Sequence, residues 1–549
     1  MSKRSKYVPS HMPLLHPDHP RPRTRREFIS QGFMLGTGAA LASPMALFSQ
    51  RVNAALSGDI NVNGCALGPQ GNNKIPFICI DLAGGANIAG SNVLVGQTGG
   101  QLDLLDTRGY NKQGLPGDRI PILNSSPDPL VDNSQFINTE LGLSFHSESQ
   151  MLAGILARAG GAGINTNGAV IPARSQNDTG NNPHNPMYGI AAAGAQSGGL
   201  GGAMGEILAL VGSRNSDSGG NSMAPASMID LAFRPTKVDR PSDARGLVDL
   251  GGLLSLPGTV QDRVSIMEAA FRMSQDKLEL SSINSGLGAG EGIGGLSDAE
   301  LREAIQCAYA QSADLADRFG SGSDALDPVA DSLINGPIFS DAELNGNSRD
   351  SQEFRKTAAI MKLVIEGYAG AGTITMGGYD YHTGDRRTGE ERDRRAGECI
   401  GACLAYAQAR NKPVMIYVVS DGSVFSNGMI DTSPLGDGKG VWTGDSQQTA
   451  AAFFLVYNPG GRPTLHSTVG ADQLQHQQLG WMTGGGDVQT TSSPAANNVE
   501  ALVNTVVLNY MALHDDIGGF TSKFANHGLG SNSDIDRWVA FEPIVTGTI

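Results

Sequence analysis

The chain predicts an α/β fold: a mostly parallel central sheet with helices on both faces and glycine-rich loop insertions. Three observations carry that expectation. Ile75 to Leu82 (IPFICIDL) is a nearly continuous apolar run of strand length, the pattern of a parallel strand buried on both faces. The C-terminal half alternates helical and strand periodicity, which implies a sheet covered by helices. The composition is globular, with 549 residues, 40% hydrophobic and 17% charged, and 74 glycines imply long loops between elements.

Taken in order, Glu148 to Ala159 has helical periodicity, whereas residues 160–222 are rich in Gly, Asn and Ser and match no regular element. Val260 to Leu280 and 298–318 repeat apolar residues at helical spacing, the second behind the capping box Ser297-Asp298-Ala299-Glu300. Between them, Gly290, Gly292 and Gly295 spell G-x-G-x-x-G. No strand precedes it, so the segment reads as a flexible connection and not a phosphate cradle. A helix over about 352–369 leads to a strand at Thr373 to Met376. A charged helix follows from about Arg387 to Ala409, with Glu390–Arg394 and Glu391–Arg395 at i,i+4 spacing. Pro413 opens the strand Val414 to Val419, Ala451 to Tyr457 is another apolar run, and Val499 to Leu513 is a final amphipathic helix. Residues 75–549 are expected to form a single α/β domain, with a loop-rich and helical insertion at about 160–350.

Residues 1–54 read as a targeting segment. Arg25-Arg26-Glu27-Phe28-Ile29 follows a basic leader. A weakly apolar stretch from Gly32 to Phe48 comes next, and Val52-Asn53-Ala54 supplies a small-residue cleavage pattern. Pro44 interrupts a stretch already too short for a membrane span. The expectation is a twin-arginine signal peptide read by the twin-arginine translocase. A polar linker follows over 55–74, and the mature protein is expected in the periplasm or outside the cell without spanning the membrane.

Residues 1–54 hold eight Lys or Arg and two Asp or Glu, so their removal takes the net charge from −15 to −21. Such acidity repels phosphate backbones and excludes nucleic acid as a partner. It leaves room for divalent cations and for a protein partner in the envelope. Five cysteines in a chain this long make no disulfide framework. Cys399 and Cys403 lie one helical turn apart and suit a buried helix face, and Cys79 belongs to the apolar strand.

Polar groups at strand ends mark the candidate site. Asp81 ends IPFICIDL, Asp380 and His382 follow TITMGGY, and Asp421 follows VMIYVVS. In an open parallel sheet the carboxyl ends of the strands line a shared crevice. Three carboxylates and an imidazole there are expected to converge and hold a divalent metal such as Zn, Mg, Mn or Ca, which would relieve their mutual repulsion. His146 reads as a capping or packing residue and His184, in Asn-Asn-Pro-His-Asn-Pro, as a loop histidine. His466 follows a strand-like segment and is a weaker site candidate. The chain has no G-x-S-x-G, C-x-x-C or H-E-x-x-H.

These features together resemble the domain-of-unknown-function 1501 family, exported proteins distantly related to alkaline phosphatases and sulfatases. Ala83-Gly84-Gly85-Ala86-Asn87 is similar to that family's first loop, Gly378-Tyr379-Asp380-Tyr381-His382 to its Y-D-x-H segment, and Arg174-Ser175 to its R-S-H segment. Ser420-Asp421-Gly422-Ser423 falls where the family shows S-E-F-G-R-T, and Trp442-Thr443-Gly444-Asp445-Ser446 where it shows G-R-D-H. Ser446 and Gln176 replace histidines, Asn87 stands where many relatives carry Asp, and Asp81 is offset by two residues from the usual carboxylate. The resemblance implies an alkaline-phosphatase-like fold and two functional classes. One is a degenerate metal site in a binding or assembly component. The other is a metal-dependent hydrolase of phosphate or sulfate esters, for which neither Ser91 nor Thr98 is a convincing nucleophile.

Overall fold

The computed structural model describes residues 74–123, 135–175, 182–193, 210–213, 223–229, 235–246, six positions between 262 and 273, 326–382, 384–466, 475–531 and 533–545. The expected twin-arginine leader, the expected linker up to residue 73, Gln176, the Gly290–Gly295 segment and the helix expected at 298–318 lie outside them. Within Val260–Leu280, the six described positions are helical.

Seven strands build one sheet: β1 (Phe77–Ala83), β2 (Thr166–Pro172), β3 (Leu210–Gly212), β4 (Thr236–Lys237), β5 (Ala371–Gly377), β6 (Val414–Val419) and β7 (Ala451–Tyr457). Their order is β2-β7-β6-β1-β5-β3-β4. Neighbours from β6 to β4 are parallel, and β1 lies between β5 and β6. The expected central trio is therefore present in one sheet. Asp81 stands level with Thr375 of β5 and Val419 of β6.

Two features refine the expected, mostly parallel sheet. The apolar run β7 is antiparallel to both β6 and β2. A parallel return needs a crossover, and the connection over 420–450 contains no helix to make one. The stretch anticipated as an insertion at about 160–350 also contributes β2, β3 and β4 to the sheet. Their shortness hid β3 and β4 from periodicity, and β2 (TNGAVIP) mixes polar residues, Gly and Pro into a strand that is buried throughout.

Helices cover both faces. Alternation sends Ile78, Ile80 and Leu82 to one side, into a core shared with α1 (Gln150–Ala159), α3 (Arg349–Ile365) and α4 (Arg387–Ala409). Phe77 and Cys79 face the other side, against α2 (Met187–Ala193) and α5 (Val499–Ala512). Side-chain oxygens of Ser149, Ser348 and Asn498 cap α1, α3 and α5 by accepting from backbone N–H groups in the first turn. Helix α4 carries the chain from β5 to β6 and lies so close to α1 that a Cβ on Gly397 would sit 2.0 Å from the Met151 carbonyl oxygen. Cys79, Cys399 and Cys403 are buried free thiols, as their positions implied. The far end of β1 is tied to α5: Ile75 N donates to His514 Nε2 (3.0 Å) and Tyr510 Oη to the Ile75 carbonyl (2.9 Å). Among the described residues no helix is long and apolar enough to cross a membrane.

Candidate functional site

The chain leaves β1 through Gly84 and Gly85, both at positive φ (130° and 117°), a region that favours glycine. A Cβ on Gly84 would lie 2.4 Å from the Asp380 backbone nitrogen, so the turns after β1 and β5 are in direct contact. Ser420, just past β6, clasps the same turn. Its Oγ donates to the Leu82 carbonyl (2.6 Å) and accepts from Gly85 N (3.2 Å) and Ala86 N (2.7 Å). The carboxyl ends of the three central strands are thus stitched together.

Beyond the turn, the first loop is fixed from helix α4. The Tyr381 hydroxyl accepts from Asn87 N (2.6 Å) and donates to Asp393 Oδ1 (3.1 Å), whose other oxygen accepts from Asn92 Nδ2 (2.8 Å). Burial raises the Asp393 pKa to about 7 despite these bonds. Asn87 donates to the Ala89 carbonyl and accepts from Ser91 Oγ. That position organises the loop.

The four expected residues divide between two constellations at this edge. Asp380 and His382 meet Asp445: His382 Nδ1 contacts Asp380 Oδ1 and lies 2.8 Å from Asp445 Oδ1. One potential ligand atom from each of these three residues lies within 4.8 Å of the others. Asp445 comes from a two-stranded ribbon, Val424–Phe425 with Gly444–Asp445, which leaves β6 beside Asp421. A buried cluster holds the ribbon against α4: Arg386 lies over the Trp442 ring (4.3 Å) and pairs with Glu390 (2.5 Å), which also pairs with Lys439 (3.0 Å). Asp380 is more than half exposed, while His382 and Asp445 are partly covered. Arg174 reaches the same ribbon through Gln447 (3.2 Å).

Asp81 and Asp421 form the second constellation, with His184. Both carboxylates are fully buried, and His184 Nε2 lies 3.4 Å from Asp81 Oδ1. Burial, and then the charge of Asp81, raise Asp421 to about 6, opposed by His184 and by the bond from Gly84 N to Asp421 Oδ1 (2.5 Å). Asn182 donates to the Asp421 carbonyl, and Asn185 Nδ2 to Thr373 Oγ1 (3.1 Å), so the loop carrying His184 is sewn to the sheet.

Asp445 and His184 were the residues that sequence reasoning undervalued. Asp445 fell inside a motif whose neighbouring histidine was missing, and nothing local to Asn-Asn-Pro-His-Asn-Pro announces its approach to β1. His146 is structural, its Nε2 2.9 Å from the Arg119 carbonyl. His466 pairs with Glu542 (3.3 Å). No protein-family model matches this chain, and no curated protein or solved structure is significantly similar to it.

Proposed function

We propose that this chain is an exported envelope protein that binds a ligand through a divalent cation held by Asp380, His382 and Asp445. The grouping of these three donors carries the reading: two carboxylates and an imidazole from separate segments meet at the carboxyl edge of a mostly parallel sheet. Their donor set fits a borderline or hard divalent ion. Partial exposure lets them rearrange around it at little cost, since solvent-exposed ion pairs are worth about 0–1 kcal/mol. Arg174, bonded two residues beyond Asp445, adds a guanidinium suited to an oxyanion.

The resemblance to the domain-of-unknown-function 1501 family, and through it to an alkaline-phosphatase-like architecture, is part of this proposal. So are twin-arginine export and a periplasmic or extracellular location. Binding or assembly is favoured over ester hydrolysis because three serine hydroxyls of the crevice loops are committed to other partners. Ser91 Oγ donates to Asn87, Ser420 Oγ to the Leu82 carbonyl, and Ser423 Oγ accepts from Thr449. A nucleophile requires a hydroxyl paired to a base.

Calorimetric titration of the full chain with Zn²⁺, Mg²⁺, Mn²⁺ or Ca²⁺ tests the cation. Asp445→Asn should weaken binding at least tenfold, as should His382→Ala, without a large change in melting temperature. Unchanged affinity in both variants would remove the cation from the proposal. Metal-dependent turnover of aryl phosphate or aryl sulfate, lost in the same variants, would establish the hydrolase instead.

A further inference from the structure

The chain has three tryptophans. Trp442 is buried beneath Arg386, whereas Trp481 and Trp538 line one cleft of about 410 Å³ beside the edge strand β2. Three stretches of chain build its walls. Residues 475–481 run along β2, with Gln478 opposite Val170 and Leu479 N donating to the Val170 carbonyl (2.8 Å). The Gln478 amide fastens the turn at 96–100: Oε1 accepts from Gly96 N (2.8 Å), and Nε2 donates to the Gly96 and Gln97 carbonyls (3.2 and 3.1 Å). The third stretch, 533–538, is held from two sides. His476 Nδ1 lies 2.5 Å from the Val539 carbonyl oxygen, and Trp538 Nε1 donates to the Leu529 carbonyl (3.2 Å). The cleft is therefore formed before any ligand arrives, as small-molecule sites usually are.

We infer that this cleft binds a saccharide, the end of a short glycan of gluco-configured pyranose rings. Such a ring has flat C–H faces and a rim of equatorial hydroxyls, so it needs aromatic platforms next to paired donors and acceptors. Both kinds of group are present. The two indoles are only partly buried, and the Arg537 guanidinium lies over the Trp538 ring (5.6 Å) with Asp536 beside it in the lining. Ser492, also in the lining, is 4% exposed, and its Oγ has no hydrogen-bond partner. Gly480, at a φ of 121°, brings backbone down onto that hydroxyl: a Cβ there would lie 3.1 Å from Ser492 Oγ. An apolar ligand would leave these polar groups unpaired, at a cost for each one covered. A polyanion would meet the chain's net charge of −15. The volume is at the lower end of the roughly 300–1,000 Å³ of small-molecule sites, which limits the occupant to the end of a glycan. None of these residues belongs to the Asp380–His382–Asp445 cluster, and the inference does not depend on the cation proposed there.

Because Trp442 is buried, changes in the tryptophan emission of the full chain report mainly on this cleft. Titration with cellotriose and with chitotriose should shift or quench the emission saturably for at least one of them, equally with and without EDTA. Calorimetry supplies the affinities of the variants, since some substitutions remove part of the signal. Trp481→Ala and Trp538→Ala should each weaken binding about tenfold or more, whereas Trp481→Phe keeps a ring face and most of the affinity. Arg537→Ala, at an exposed position, should weaken binding severalfold with an unchanged melting temperature, and it carries the test if the tryptophan variants do not fold. Asp445→Asn should bind as wild type does. No response to either trisaccharide overturns the inference, as does an affinity unchanged in Trp481→Ala, Trp538→Ala and Arg537→Ala. Binding of free indole without either trisaccharide would assign the cleft to an aromatic ligand and overturn the saccharide. Saccharide binding that disappears in EDTA or in Asp445→Asn would move it to the cation cluster and overturn the cleft.

Discussion

Asp421 lies just past β6, two residues beyond the position level with Asp81 on β1, and both carboxylates are without solvent exposure. Burial and the charge of Asp81 together hold Asp421 at about 6, well above an ordinary carboxyl group. Two buried carboxylates, one of them 3.4 Å from a histidine, are an arrangement that hydrophobic packing would not select. They mark the edge as built for something other than stability.

The turn after β1 packs backbone against backbone at that edge. Gly84→Ala places a methyl group 2.4 Å from the Asp380 nitrogen at a φ of 130°, so backbone on both sides must move. The change should destabilise by about 2–4 kcal/mol in chemical denaturation. It should also weaken cation binding at Asp380, His382 and Asp445, because Asp380 is displaced. A loss under about 1 kcal/mol with intact affinity would show that the two turns are not mechanically joined.

Two buried histidines make stability depend on pH. His514 Nε2 accepts from Ile75 N while its Nδ1 faces the Tyr510 carbonyl (2.7 Å), and His146 Nδ1 accepts from Glu148 N (3.3 Å). Both are neutral in the fold, and burial lowers each from 6.5 to about 4. The unfolded chain therefore takes up protons first. The contribution of each is complete above about pH 6.5 and is lost as pH falls towards 4, up to roughly 3 kcal/mol apiece. Asp393, raised to about 7, works in the opposite direction: its contribution is complete below about 4 and is lost as pH rises through 7. Comparison with His146→Asn/His514→Gln isolates the histidines. The stability difference from wild type should shrink steadily between pH 6.5 and 4. A difference independent of pH would mean that neither histidine is held neutral.

The proposed export route rests on the guanidinium pair of Arg25 and Arg26. Arg25→Lys with Arg26→Lys should leave precursor in the cytoplasm, since lysine lacks the planar donor fork of arginine. Fractionation of cells carrying both forms measures this. Normal delivery of the double variant would rule out the twin-arginine route.

Much of the scaffold was legible because it is written in local periodicity. β1 and β6 are continuous apolar runs, and α1, α3, α4 and α5 repeat apolar residues at helical spacing, so existence and type of element followed, with bounds shifted by a few residues. The direction of β7 was not legible: its apolar run is the same whichever way the strand points, and only the missing crossover helix decides it. β3 and β4 are too short to carry a period at all.

The candidate site divides in the same way. Asp81, Asp380, His382 and Asp421 could be named from sequence because each ends an apolar strand, and parallel strands bring such ends to one edge. Which of them share a centre was decided by tertiary structure. Alternation turns Asp81 to the second face of the sheet, where a loop far away in the chain delivers His184. The ribbon after β6 folds back to bring Asp445 to His382. Sequence by itself determined which groups the strands carry to the edge, since a strand's length and end are local properties. Their partners are set by loop paths and strand faces, and these exist only once the sheet has closed around them.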